Sequence, residues 1–132
     1  MKSQTLAMIK SDAVASGLTG KVIELIELNG FSISKILKKA LAENDAKSFY
    51  DIHSHQPWFN GYIQKLISGP VVLMILEKED AVKSWRMLMG ATNPINAEFG
   101  TIRRMWGKSI DENVAHGSDS DENAQKEISF FF

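Results

Sequence analysis

Apolar and polar residues follow two different periods along the chain, and the switches between them outline its elements. "TLAMIK", Thr5 to Lys10, is a short apolar run ending in a charge and predicts a buried strand. Leu18, Val22, Leu25 and Ile26 recur at i, i+4, i+7 and i+8, one face of a helix that Asn29-Gly30 is expected to stop in the left-handed conformation. "FSISKILKKAL" opens on apolar–polar alternation, the mark of a half-buried strand. "ENDAKSFYDIHSH" reads as a short helix broken before Pro57, because proline pushes the preceding residue out of the right-handed helical region. "WFNGYIQKLISG" predicts a helix closed by Gly69. "PVVLMILE" predicts a strand buried on both faces, and therefore central.

Asp80 is placed to cap a helix in which Val82, Trp85 and Met89 share a face. From Gly90 to Gly107 the periodicity disappears, which predicts a long loop carrying Pro94 and Gly100; loops of that length in compact domains are often functional. A short strand running into His116 and a last helix striped by Ala124, Ile128 and Phe131 complete the order β-α-β-α-α-β-α-loop-β-α. Such an order implies one sheet with helices packed on it, α+β or α/β. No repeat, low-complexity tract or linker interrupts it, so residues 1–132 are expected to form one domain.

Composition narrows the field. The chain is 44% hydrophobic and 23% charged, ordinary for a soluble globular protein. A net charge of −1 gives no basis for general attraction to nucleic acid or membranes. The absence of cysteine excludes disulfides and thiolate chemistry. "MKSQTLAMIKSDAV" is too broken for a signal peptide and no run approaches transmembrane length, so a cytoplasmic location is expected. There is no Walker sequence, no GxGxxG and no acidic cluster with metal-ligand spacing.

Chemistry must then come from scattered polar residues, and "NVAHGSDS", Asn113 to Ser120, stands out among them. Gly117 allows a sharp bend there, Ser118 or Ser120 can cap the helix that follows, and Asp121 and Glu122 suit the positive end of its dipole. His116 is either part of that turn or a nucleophile presented by it. His116, Ser118 and Asp119 do not read as a hydrolase triad, since triads draw their members from distant segments. Lys10, His53, Arg86, Thr92, Arg103, Arg104 and Asn113 lie at element ends and in the long loop. Each has an ordinary explanation: Lys10 as a solvated strand end, His53 as a cation at a helix end, Arg86 as a snorkelling side chain, Arg103-Arg104 as a solvated pair, Trp58 as core. A sheet that binds RNA through aromatics is the competing class, but no RNP-like strand is present and the charge is not basic.

"NVAHGSDS" closely resembles the active-site signature of nucleoside diphosphate kinases, Asn-x-x-His-Gly-Ser-Asp-Ser. The likeness continues in order through "MIKSDAV", "GFSISKILK", "PWFNGYIQKLISGPVV", "MLMGATNP", "GTIRR" and "AQKEISFFF". The resemblance implies a ferredoxin-like α+β sandwich, a four-stranded antiparallel sheet covered by helices. It also implies an enzyme that moves the terminal phosphate of a nucleoside triphosphate, mainly ATP, to a nucleoside diphosphate. The family does so by a ping-pong mechanism through a phosphohistidine, maintaining NTP and dNTP pools.

Carried over by motif position, the resemblance makes His116 the nucleophile through Nδ1, with Glu127 and Ser118 orienting the ring and Tyr50 near the transferred phosphate. Neutral imidazole is then the competent form, and activity is expected to fall at acid pH. Arg86, Thr92 and Arg103 match phosphate-contacting positions, where guanidinium forks bind oxygens at two points. Lys10 and Asn113 match contacts to the sugar hydroxyls and a nearby phosphate oxygen, and His53 a phosphate neighbour. Trp58 stands where the family usually stacks a phenylalanine on the base, a contact that tolerates every base. Mg²⁺ is expected on the nucleotide phosphates, with no protein metal site, and the protein as a homo-oligomer, tetramer or hexamer. Three departures concern rigidity and assembly: Ser11 for the proline after the lysine, Phe99 for the proline before "GTIR", and "RRMW" for "RGDF". The last puts Arg104 and Met105 in a loop that commonly contributes to subunit contacts. The chain also ends at Phe132, short of the C-terminal tail many members carry.

Overall fold

In the computed structural model, which describes residues 2–132, four strands form: β1 (Lys2–Ile9), β2 (Ser32–Lys39), β3 (Val71–Glu79) and β4 (Ala115–Gly117). They pair antiparallel into one sheet in the order β2-β3-β1-β4. The apolar run of β3 is central as expected, flanked by β1 and β2. β1 starts earlier than its apolar run because it pairs with β3 along its whole length, from Lys2 opposite Glu79 to Ile9 opposite Val72. Gln4 secures that polar end by donating to Glu77 at 2.6 Å.

β2 departs from the half-buried reading. It is the sheet's long edge strand, so its residues are exposed apart from the partly covered Ile33, and Ile36 and Leu37 face solvent.

Helices cover both faces. On one, α1 (Ser11–Ala15), α2 (Thr19–Leu28), α5 (Ala81–Met89) and α6 (Ile102–Trp106) bury Ala13, Val22, Ile26, Trp85, Met89 and Ile102 against Ile9, Val72 and Met74. On the other, α3 (Glu43–Phe49), α4 (Phe59–Leu66) and α7 (Asp121–Phe131) meet the sheet, with Ala46, Ile63 and Leu66 packed around Met8 and Leu73. Burial of this kind contributes roughly 25 cal/mol per Å² of apolar surface. This is the ferredoxin-like arrangement the resemblance implied.

α1 and α6 were not expected. Each spans five residues, too few to display a helical period, and α6 interrupts the long loop. Thr101 starts α6 by accepting from the Arg104 amide at 3.3 Å, and Ile102 anchors it in the core. Gly30 ends α2 at φ 86, as expected. Asp80 does not cap α5 with its side chain. It lies at φ 48, and the hydroxyl of Ser3 on β1 accepts from the Ala81 amide at 2.9 Å instead.

Candidate active site

The three residues of β4 position the site. His116 lies opposite Met8 of β1, which puts its side chain on the face covered by α3, α4 and α7. The bend into the strand is not at Gly117 but at Val114. Its φ is 79, the Ala115 amide donates to the Asn113 carbonyl at 3.0 Å, and the Val114 carbonyl accepts from the Lys10 amide at 2.8 Å. A β-branched residue in this region costs on the order of 1–3 kcal/mol and persists only where the surroundings hold it. Gly117 is needed for space. Trp85 and Met89 fill the position a Cβ would occupy, and Trp85 Nε1 donates to the His116 carbonyl at 3.2 Å.

Of the two serines, Ser120 caps α7, accepting from the Asn123 amide at 3.1 Å. Ser118 is fully buried and donates to Glu127 Oε1 at 2.7 Å. The same oxygen lies 3.2 Å from His116 Nε2. A carboxylate acceptor assigns the ring proton to Nε2 and leaves the lone pair on Nδ1, to which no described residue hydrogen-bonds. Tyr50 is buried beside the ring, and Tyr62 donates to its oxygen at 3.3 Å. Burial first, and then Tyr62, pushes the Tyr50 phenol well above its usual range, so it stays neutral and keeps its own proton to donate.

Apart from Ser118, every residue the resemblance assigned lines one cleft of about 750 Å³. Lys10 is not a solvated strand end: it is 3% exposed, and its ammonium donates to Asn113 Oδ1 and the Asp111 carbonyl, both at 2.9 Å. It also sits 4.8 Å over the Tyr62 ring. Asn113 in turn donates to the Thr92 carbonyl at 3.0 Å. Arg103 is not a solvated arginine either. It is 9% exposed, and its Nε, Nη1 and Nη2 donate to the carbonyls of Asn113, Gly90 and Ala115 at 3.4, 2.9 and 2.7 Å. A guanidinium has five N–H donors, so the two left over on the Nη atoms are those available to a ligand. Burial lowers its pKa from the ordinary arginine value, which leaves it charged.

Arg86 is exposed and donates to the Asp119 carbonyl at 3.3 Å. The Asp119 carboxyl is held below its usual range chiefly by Asn123, whose amide donates to it at 2.5 Å. At the other end of the cleft the Trp58 ring, 42% exposed, lies 5.4 Å from His53 and 5.8 Å from Tyr62.

Phe49, Ile110 and Asn123 line the same cleft and were not anticipated. None follows from periodicity; Ile110 is an exposed apolar residue in a loop, and Phe49 read only as part of a short helix. Among the described residues, no three His, Asp or Glu side chains come together to hold a metal. The departures each have a local counterpart. Ser11 donates to the Lys65 carbonyl at 2.9 Å, tying α1 to α4. Arg104 lies 4.7 Å over the exposed Phe99 ring and donates to the Ile95 carbonyl at 3.0 Å. The assembled cleft therefore offers cations, a stacking indole and an imidazole nitrogen with a free lone pair, features suited to a planar aromatic molecule bearing oxyanions.

A family model described as nucleoside diphosphate kinase matches residues 3–132. Curated nucleoside diphosphate kinases from a Nitratiruptor species and from Campylobacter curvus are each 52% identical over 129 residues, covering 98% of this chain and 94% of theirs. Among solved structures, the Aquifex aeolicus nucleoside diphosphate kinase superposes with a TM-score of 0.96 at 35% identity, covering 100% of this chain and 96% of its own. A halophilic nucleoside diphosphate kinase from Halobacterium salinarum in complex with CDP also gives 0.96, at 34% identity, covering 100% of this chain and 88% of its own.

Proposed function

The chain belongs to the nucleoside diphosphate kinase family and is a nucleoside diphosphate phosphotransferase, and from that premise we propose a ping-pong reaction in which His116 carries the phosphoryl group. The lone pair of Nδ1 attacks the terminal phosphorus of a nucleoside triphosphate, ATP above all. An N–P bond forms, the bridging P–O bond breaks, and the diphosphate departs with the electron pair. A terminal oxygen of a second nucleoside diphosphate then attacks the same phosphorus, the N–P bond breaks, and neutral imidazole returns.

One observation carries this reading: Glu127 engages Nε2 and leaves Nδ1 unbonded in a cleft lined by Lys10, Arg86 and Arg103. These cations neutralise charge on the phosphoryl oxygens, and Thr92 and Tyr50 add hydroxyl donors. His53 neighbours the phosphates. Lys10 and Asn113 hold the sugar, and a contact that does not demand a 2′-hydroxyl also accepts deoxynucleotides. Trp58 stacks on the base without reading its edge. The nucleoside diphosphate bound by the Halobacterium relative supports this choice of substrate.

Mg²⁺ enters as part of the nucleotide substrate. The cations Lys10, Arg86 and Arg103 along the cleft suit nucleotide phosphates that bring the metal with them. Residues 1–132 act as one catalytic unit, assembled into a cytoplasmic homo-oligomer, tetramer or hexamer. The exposed edge of β2, with Ile36 and Leu37, supports self-association. No described helix is long and apolar enough to cross a membrane.

Incubation with γ-labelled ATP and Mg²⁺, followed by a GDP chase, tests the reading. The expected result is a phosphoenzyme labile to acid and stable to base, discharged by GDP into GTP. Folded protein that takes up no label would refute it.

A further inference from the structure

Phe49, the last residue of α3, forms part of the cleft wall and touches the centre of the chemistry from a direction no hydrogen bond covers. Its ring lies 5.1 Å from the His116 imidazole with the planes at 70°, while Tyr50, the next residue, stands 5.5 Å from the same imidazole at 85°. Phe49 and Tyr50 are themselves 4.9 Å apart, nearly perpendicular. Both aromatics therefore meet the imidazole steeply, an attractive geometry for π-systems.

Phe49 is seated from behind. Phe131 of α7 packs 4.8 Å from it and Phe130 5.9 Å from it. Phe131 follows Glu127 by one helical turn, so the face of α7 that carries the hydrogen-bond partner of Nε2 also carries the anchor of Phe49. Ala124, one turn from Ile128 on the same helix, is fully buried and fixes α7 to the domain.

A hydrogen bond at Nε2 restrains one point of the imidazole but not its plane, because the terminal torsion of histidine is broad. The Nδ1 lone pair lies in that plane, so a tilted ring aims it off the line of the leaving group, and small misalignments of this kind are expensive in rate. We infer that Phe49 is a positioning residue for His116: held by Phe131, its ring sets the imidazole plane while Glu127 sets the proton. The inference rests on the phosphohistidine reading above.

Steady-state and single-turnover kinetics of wild type, Phe49→Ala, Phe131→Ala and the double variant test it. Phe49→Ala loses about tenfold in kcat and in the rate of phosphoenzyme formation, with KM for ATP and GDP changed by less than about twofold. Phe131 is no part of the cleft wall, yet Phe131→Ala shows a smaller loss of the same kind. The double variant is no slower than Phe49→Ala alone, because one acts through the other. A wild-type kcat in folded Phe49→Ala overturns the inference, as does a double variant whose losses multiply. A wild type that never labels on His116 overturns the phosphohistidine reading and this inference together; a labelled wild type with unimpaired Phe49→Ala overturns this inference alone.

Discussion

The Ser118 hydroxyl, fully buried, donates at 2.7 Å to the Glu127 oxygen that faces the imidazole. Two donors thus converge on one carboxylate oxygen, and the serine fixes where that oxygen stands. Ser118→Ala is expected to lower kcat about tenfold with little effect on KM, the equivalent of losing about 1.4 kcal/mol of alignment. Glu127→Ala should cost more, since it leaves both donors unpartnered, and should also lower stability by about 1–3 kcal/mol in urea titrations. His116→Ala should abolish exchange while circular dichroism and melting stay near wild type.

The proposed reaction gives Arg103 a second role beside its bonds to three backbone carbonyls, and substitutions can separate the two. Arg103→Ala removes a charge-stabilising donor and is expected to lower turnover by roughly 10²-fold. It also takes a donor from three backbone carbonyls, of which that of Asn113 keeps the Ala115 amide, so it should melt earlier. Arg103→Lys keeps the charge but cannot satisfy all three acceptors in a fixed plane, and should fall short on both measures. Wild-type kinetics in either variant would confine Arg103 to a structural part.

Two classes of glycine should respond oppositely. Gly117→Ala forces a Cβ into Trp85 and Met89 and should destabilise by about 1–3 kcal/mol while displacing His116 and depressing kcat. Gly61→Ala, inside α4 with open space around it, should stabilise by about 0.4–1 kcal/mol and leave turnover unchanged. Thermal melts of the two variants measured together check both signs.

Thr5 presents the one buried side-chain oxygen among the described residues with no hydrogen-bond partner. Thr5→Val removes that hydroxyl at nearly constant shape and is expected to stabilise by about 1 kcal/mol, read from the urea midpoint.

The Asp119 carboxyl is held low by Asn123, which fixes the sign of its pH dependence. A lowered folded-state pKa contributes stability above the unfolded value and loses it as pH falls through the folded value. Asn123→Ala should therefore be less stable than wild type near neutrality, and the difference should close in acid below the carboxylate range. A gap independent of pH would assign the loss to the helix rather than the carboxylate.

Much of the fold was legible because long elements repeat their burial many times over. The nine residues of β3 and the nine of α5 carry the period of their surroundings, so the central strand and the Val82–Trp85–Met89 face were readable. α1 and α6 span less than two turns and carry no such repetition. β2 alternates like a half-buried strand, but alternation does not say whether a strand has a neighbour on both sides. Its place at the sheet edge follows from the pairing of β1 with β3.

The site divides in the same way. Residue types and spacing, local properties of the chain, singled out His116 but left it open between turn and nucleophile; the resemblance carried by the motif and its ordered companions implied the rest of the site. Local reading left open how the site is held: it allowed a bend at Gly117, did not choose between Ser118 and Ser120 as the cap, and put solvent around Lys10 and Arg103. Packing across the sheet decided these points, setting Trp85 against Gly117, Glu127 against Ser118, and backbone carbonyls of distant segments around the two cations. By itself the sequence determined which groups could react. The tertiary structure decided which of their atoms remain free to do so, because hydrogen-bond donors and burial are assigned between segments far apart in the chain.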